Sequence, residues 1–265
     1  MKKTLITAVI VAVLATAFIF VFNKFGVKTS DLKEIYIGNS SLTVELAQSQ
    51  GTRGQGLGGK KSLPQNQGML FVFDGPGINN FWTRDMEFSI DIIWADADYK
   101  IAHIERNLVP ESYPKSFGPN TQTQYVIETN SGWADSNNIK IGDMLIMPWK
   151  YEEKINAKEA IIKVNSPEIG AKISSPLAVD GEARGNWFFE ASFPVKITDS
   201  NGNELAVKPA TANDNWMTTE FVPFSASLEF TPPKETDIGF LILKKDNPSG
   251  FSENDDQIEI PIRFR

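Results

Sequence analysis

Residues 81–104 read FWTRDMEFSIDIIWADADYKIAHI, and the second half of this stretch decides the fold class. Ser89 to Ala95 and Tyr99 to Ile104 are short runs rich in β-branched and aromatic residues, and they flank Asp96-Ala97-Asp98. Two such runs around a polar turn predict a hairpin. The first half obeys no single period. In an extended chain Trp82, Arg84, Met86 and Phe88 would share one face, with Phe81, Thr83, Asp85 and Glu87 on the other. Neither face is cleanly apolar, so a bend is expected between Thr83 and Glu87. Such a bend would let Trp82, Arg84 and Asp91 converge on a groove, with Phe81 and Trp82 packing inward and Arg84 and Asp91 bordering a concave surface. An aspartate inside Ser89 to Trp94 must be paired or hydrogen-bonded to be buried. Its plainest role is therefore structural, accepting backbone N–H bonds or pairing with Arg53.

Outward from the hairpin, other segments agree with a mainly β domain. Ser41 to Leu46 alternates with period two, as a half-buried strand does. Gly68 to Phe73 is a continuous apolar run, and Asp74-Gly75-Pro76-Gly77 after it reads as a turn. Tyr125 to Thr129 is a further strand, and Ser131 to Asn138 allows one short helix. Lys150 to Glu159 is charged and without long apolar periodicity, so residues 151–159 read as a linker. Beyond it come seven short apolar segments between Ala160 and Phe264. They predict a seven-stranded β-sandwich, with Asn201-Gly202 as a hairpin turn. The expected organisation is a segment at 1–30, a mostly β domain over 31–150, the linker, and a sandwich over 160–265.

The first segment concerns location. Lys2 and Lys3 precede an uncharged run from Thr4 to Phe22. At about 1.5 Å per residue this run spans roughly 28 Å, close to the thickness of a bilayer's hydrocarbon core. Ala15-Thr16-Ala17 resembles a cleavage site, but Phe18 to Phe22 prolongs the apolar stretch past it, which favours an uncleaved transmembrane anchor over a cleaved signal. The basic N-terminus orients the body to the extracytoplasmic side. With no cysteine, neither a disulfide nor a lipid-modified cysteine is available.

Composition excludes several classes of partner. Apart from Lys2 and Lys3 the chain carries 24 basic against 33 acidic residues. A nucleic-acid footprint is therefore absent, and neutral, cationic or cation-bridged partners are expected. Gly54-Gln55-Gly56-Leu57-Gly58-Gly59 has the spacing of a phosphate-binding loop. Lys60-Lys61-Ser62-Leu63-Pro64 comes next in the chain, where such a loop needs a helix start, so no nucleotide is assigned. One histidine, His103, and no cysteine leave no ordinary zinc site and no supported triad, and neither a metal nor a cofactor is expected. His103 reads as a strand-face residue.

The blocks RGQGLGGKKSLPQNQGMLFVFDGPG, FWTRDMEFSIDIIWADADYKIAHI and YVIETNSGWADSNNIKIGD, in this order over about 35–147, resemble the family called domain of unknown function 192. Arg53, Gly56, Leu57, Phe81, Trp82, Asp91, Glu128 and Gly132 stand at its usual positions. Gly58 and Thr83 depart from it, each replacing a methionine, which would open a groove or loosen the local core. The resemblance implies a compact, mostly β fold and no known activity. VNSPEIGAKISSPLAVDGEARGNWFFEASFPVKITDSNGNELA, NWMTTEFVPFSASLEF and GFLILKKDNPSGFSENDDQIEIPIRF resemble the immunoglobulin-like domain of bacterial spore germination proteins. That resemblance implies an interaction module carrying Trp187, Glu190, Trp216 and Asn247.

Together these readings point to a membrane-anchored binding protein of the cell envelope, with polysaccharide or a surface protein as partner. Its candidate groove comprises Arg53, Trp82, Arg84, Asp91 and Glu128. No catalytic residue is assigned; an envelope hydrolase using Asp91 and Glu128 as an acid–base pair is the alternative.

Overall fold

The computed structural model describes residues 32–264, and the expected membrane segment at 1–30 lies outside the described residues. Among the described residues no helix is long and apolar enough to cross a membrane. The molecule is mainly β and is built on two sheets, one of seven strands and one of eight.

The first sheet comprises β1 (Leu32–Ile37), β2 (Ser40–Ala47), β3 (Gln67–Gly77), β4 (Ile90–Ala95), β5 (Ile101–Leu108), β6 (Thr123–Asn130) and β7 (Leu145–Ile146), in the order β5-β4-β6-β3-β2-β1-β7. All neighbours are antiparallel except β2 and β3. The parallel pair needs a crossover, and it contains the short helix α1 (Gln50–Gln55). Ser49 opens that helix with a capping box to Thr52. The hairpin at Asp96 to Asp98 forms as expected, with Asp96 Oδ1 accepting the N–H groups of Asp98 and Lys100 at 2.9 Å each. By contrast, Asp74 to Gly77 is no turn: β3 runs through it, with a register shift between Val72 and Gly77. A bulge accommodates the glycines and proline that would otherwise end a strand.

Both faces of this sheet are covered. One bears Ile35, Val44, Leu70, Ile93 and Ile127 under the helical turn α2 (Trp133–Ser136). The other bears Met69, Phe71, Ile92, Trp94 and Val126 beneath Leu57, Leu63, Met86 and Phe117 from the loops. Strict alternation along β3, β4 and β6 sends successive residues to the two cores.

The charged stretch read as a linker is folded over most of its length. Pro148–Asn156 forms helix α3, with proline at its first turn. Tyr151 is buried and its ring lies 6.1 Å from Phe240. With Met144, Ile146 and Ile238 it forms a small core shared by the two sheets. A lone apolar pair at i and i+4, Tyr151 and Ile155, is the helical signal in the sequence.

The second sheet contains β8 (Ile162–Ser166), β9 (Ala171–Lys172), β10 (Leu177–Arg184), β11 (Ser192–Asp199), β12 (Glu204–Ala212), β13 (Phe221–Leu228), β14 (Ile238–Lys244) and β15 (Gln257–Arg263). All seven expected strands are present. The two-residue β9 is the addition, paired in parallel with β15. Ile162, Val179, Phe193, Val222, Leu241 and Ile260, from six strands, meet in one core, so the sheet curls around it. Asn201-Gly202 makes the β11–β12 turn, Gly202 adopting φ +84° and Asp199 Oδ1 accepting from Asn201 and Asn203.

Candidate functional site

A groove of about 300 Å³ opens on the first domain between α1, the turn after it and the segment before β4. The glycine-rich run at 54–59 ends a helix here and does not start one, which disposes of a phosphate-binding loop. Gly56 takes φ 55° and ψ −139°, and a Cβ there would sit 3.3 Å from Glu128 Oε2 and 3.4 Å from Phe71. Only glycine lets the backbone pass so close over these side chains.

Glu128 forms part of the groove wall, although it is only 3% exposed. Among the described residues its single protein donor is the Leu57 N–H, at 3.3 Å from Oε2. Burial pushes its pKa up to about 8, and that one N–H offsets the rise only in part. At neutral pH Glu128 is therefore mostly a neutral acid, able to donate a hydrogen bond as well as accept one.

Around it the walls divide by chemistry. Phe71, Phe73, Phe81, Leu57 and Met86 are apolar; Gln50, Gln55 and Asn80 contribute amides; Arg53 and Arg84 contribute cations. Phe81 packs edge-on to Phe71 at 4.8 Å and to Trp94 at 6.0 Å, so it points inward as expected. Trp82 does not. It is 48% exposed at the rim, with the Arg84 guanidinium 4.9 Å over its ring and Tyr113 edge-on at 6.4 Å. The inward packing expected of Trp82 is thus corrected. The chain bends here, with Asp85 at φ 59°, and alternate residues no longer take alternate faces.

Arg53 has a partly structural task. Its Nη1 donates to the carbonyls of Gln48 at 2.7 Å and Val72 at 2.8 Å, while the guanidinium lies over Phe73. Thr83 does not widen the groove; it is buried, donating to Pro110 O at 3.2 Å. Gly58 does line the groove, and a Cβ there would lie 3.0 Å from Gln55 O.

Asp91 is the expected site residue that the structure places elsewhere. It pairs with Thr129 across β4 and β6, whereas Glu128 pairs with Ile92. Adjacent positions point to opposite faces, so the two carboxyl groups lie on opposite sides of the sheet. Asp91 is fully buried, accepting from Asn107 N at 2.9 Å and Ala134 N at 3.0 Å. The second bond satisfies the start of α2, whose Gly132 has no side chain to cap it. Asp91 is a structural acceptor without an Arg53 partner, and the Asp91–Glu128 acid–base pair is not assembled.

His103 lies on a strand as expected, against Trp94 at 5.3 Å and Glu105 at 3.1 Å. Among the described residues no cluster of metal-ligating side chains occurs. Gln50, Gln55, Asn80, Phe73 and Met86 were not singled out in the sequence. Glutamine and asparagine in loops carry no periodic signal, and only the crossover geometry gathers them.

In the second domain Trp187 is fully buried, Trp216 half-buried against the same core, and Glu190 exposed at φ 48°. Trp187 O accepts from Asp246 N, and Gly185 packs against Trp216 O, so Trp187, Trp216 and Asn247 meet at one end. Asn247 is occupied in its own loop, donating to Phe251 O and Asp255 Oδ1. Trp187 and Asn247 thus hold loops together at this end.

No curated protein matches the chain. A crystal structure from Sinorhizobium meliloti 1021, provisionally described as a transcription regulator, is 26% identical over 44% of this chain and 93% of its own, with a TM-score of 0.42. A protein of unknown function from Novosphingobium aromaticivorans DSM 12444 is 26% identical over 43% of this chain and 84% of its own, with a TM-score of 0.41. Residues 34–147, which hold the groove, match the family described as an uncharacterized ACR, domain of unknown function 192, and residues 161–252 match the immunoglobulin-like domain of bacterial spore germination, in that order.

Proposed function

We propose that this protein is an envelope binding protein, anchored in the cytoplasmic membrane by residues 1–30 with its body outside, and that the groove of the first domain binds saccharide. The observation that carries this reading is the half-exposed Trp82 at the mouth of a groove lined by Gln50, Gln55 and Asn80. A half-exposed indole packs against the C–H face of a sugar ring, and side-chain amides both donate to and accept from hydroxyl groups. The second domain, an immunoglobulin-like sandwich in this reading, serves as spacer and interaction module. A hydrolase working through Asp91 and Glu128 is not proposed, because the two carboxyl groups face opposite sides of the sheet.

Calorimetric titration of the full chain in detergent with envelope oligosaccharides tests the reading. Binding that quenches tryptophan fluorescence, with the quench lost in Trp82→Ala, is expected. Saccharide binding unaffected by Trp82→Ala would move the site away from this groove.

A further inference from the structure

The net charge of the chain argues for neutral or cationic partners, yet both ionised side chains lining the groove are arginines. Charges beyond about 8–10 Å are largely screened at physiological salt, so the local pair outweighs the distant acidic surface. Among the described residues both hydrogen bonds of Arg53 use Nη1, leaving its Nε and Nη2 for a ligand. Arg84 stands on the rim with its side chain 45% exposed; its acidic neighbour Asp85 is 3.6 Å away and itself 78% exposed. A solvated pair at that distance contributes little and yields readily to a better acceptor. The most buried polar side chain of the groove, Glu128, is more than nine-tenths buried and has one protein hydrogen bond among the described residues.

From this arrangement we infer that the groove is selective for acidic saccharides: a sugar carboxylate is held at the arginine rim while Glu128 donates a hydrogen bond from the floor. The inference rests on the saccharide reading above and adds the charge of the ligand. A carboxylate matches the guanidinium fork, and a protonated acid beside an anionic sugar satisfies its own hydrogen and the ligand's lone pair together. Around Glu128 stand Leu57 and Gly56 from the turn, Met69 paired with it in β3, Ile92 paired with it in β4, and Phe71 beside Gly56, none of them charged. The nearest ionised groups lining the groove are Arg53 and Arg84, with Asp85 behind Arg84. Ionisation of Glu128 would set a second negative charge in the groove and expel the ligand.

The test is calorimetric titration of the full chain in detergent with glucuronate, galacturonate and mannuronate disaccharides, each beside its methyl ester. At pH 6 at least one acid should bind roughly tenfold tighter than its ester, the order of one charge-assisted hydrogen bond. Its affinity should fall by a similar factor at pH 9, and Glu128→Gln, which keeps an N–H donor, should abolish that fall. Arg84→Gln, an exposed change, should bring acid and ester to equal affinity; thermal melts check that both variants are folded. Esters that bind as tightly as acids would overturn the charge inference and leave the saccharide reading standing. Failure of every saccharide, or binding of N-acetylphenylalanine in their place, would overturn both. An acid preference that survives both Arg84→Gln and a move to pH 9 would overturn the roles assigned here.

Discussion

Asp91 and Glu128 lie on neighbouring strands, are both buried, and are treated in opposite ways by the protein. On one face Asp91 receives two backbone N–H groups, one on each oxygen. On the other face Glu128 receives one, at 3.3 Å, beside a groove. A buried carboxyl group held by two good donors has its acceptors satisfied and serves as structure. One left with a single long bond retains its proton and has bonding capacity to spare. Burial alone therefore does not distinguish a structural acid from a site acid; the number of donors built around it does.

The largest effect should come from the satisfied partner. Asp91→Asn turns one acceptor oxygen into an N–H donor facing another donor. Losing a buried hydrogen bond and leaving a buried N–H unpaired costs about 3 kcal/mol. Thermal melts should show a large loss of stability, with saccharide affinity at low temperature unchanged. A melt within a degree of wild type would show that the two bonds are not what holds α2 and β5 to this strand.

Glu128→Gln should act in the other direction. Below pH 4.5 both the folded and the unfolded chain hold the proton of Glu128; above it the unfolded chain releases the proton, while the folded chain keeps it up to about 8. Through this residue stability is lost as pH rises from about 4.5 to about 8, by up to about 1.4 kcal/mol per pH unit, and then levels off. The glutamine variant should be about as stable as wild type at pH 4.5 and more stable by a few kcal/mol at pH 8. Equal denaturant midpoints for the two proteins at pH 8 would contradict the unusual proton affinity of this acid.

How far this contrast was legible depended on sheet register. Alternation and turn residues in Ser41 to Leu46, Asp96 to Asp98 and Asn201-Gly202 made most strands readable one at a time. The assignment of Asp91 and Glu128 to opposite faces was not readable. It depends on Asp91 meeting Thr129 and Ile92 meeting Glu128, a pairing between segments 37 residues apart. A slip of one residue would have placed both acids on one side. The bend at Thr83 to Glu87 was legible from its broken period, yet its direction, which puts Phe81 inside and Trp82 at the rim, was not. Arg53, Trp82, Arg84 and Glu128, each named from the sequence, line the groove. Gly56 was read only as a motif glycine, because its task, passing 3.3 Å over a carboxyl group, exists only in three dimensions.

Gly56→Ala makes that task measurable. Its φ of 55° and ψ of −139° lie in a region that essentially only glycine occupies, at a cost of order 1–3 kcal/mol for other residues. The added methyl would also press on Glu128 Oε2 and Phe71. An intermediate loss of melting temperature is expected, accompanied by weaker saccharide binding, whereas Asp91→Asn should lower stability alone. If both variants lose stability and binding in the same proportion, the two faces of the sheet are not independent.

The smallest effect on stability belongs to Trp82→Ala. Truncating a buried aromatic costs about 3–5 kcal/mol, whereas surface substitutions usually fall within about 0.5 kcal/mol. Trp82 is 48% exposed, stacked by Arg84 on one face and met edge-on by Tyr113, so what it loses is a cation–π contact and one aromatic edge. A solvent-exposed cation–π contact contributes about 0.5–1 kcal/mol, which sets the upper end of the expected loss. The melt should barely move, while saccharide binding should collapse, because the indole face forms the rim platform. Asp91→Asn and Trp82→Ala then give mirror-image outcomes: the first loses stability and keeps binding, the second loses binding and keeps stability. A sharp drop in melting temperature for Trp82→Ala would mean that the indole is anchored more deeply than its exposure indicates, and the groove mouth would have to be drawn without it.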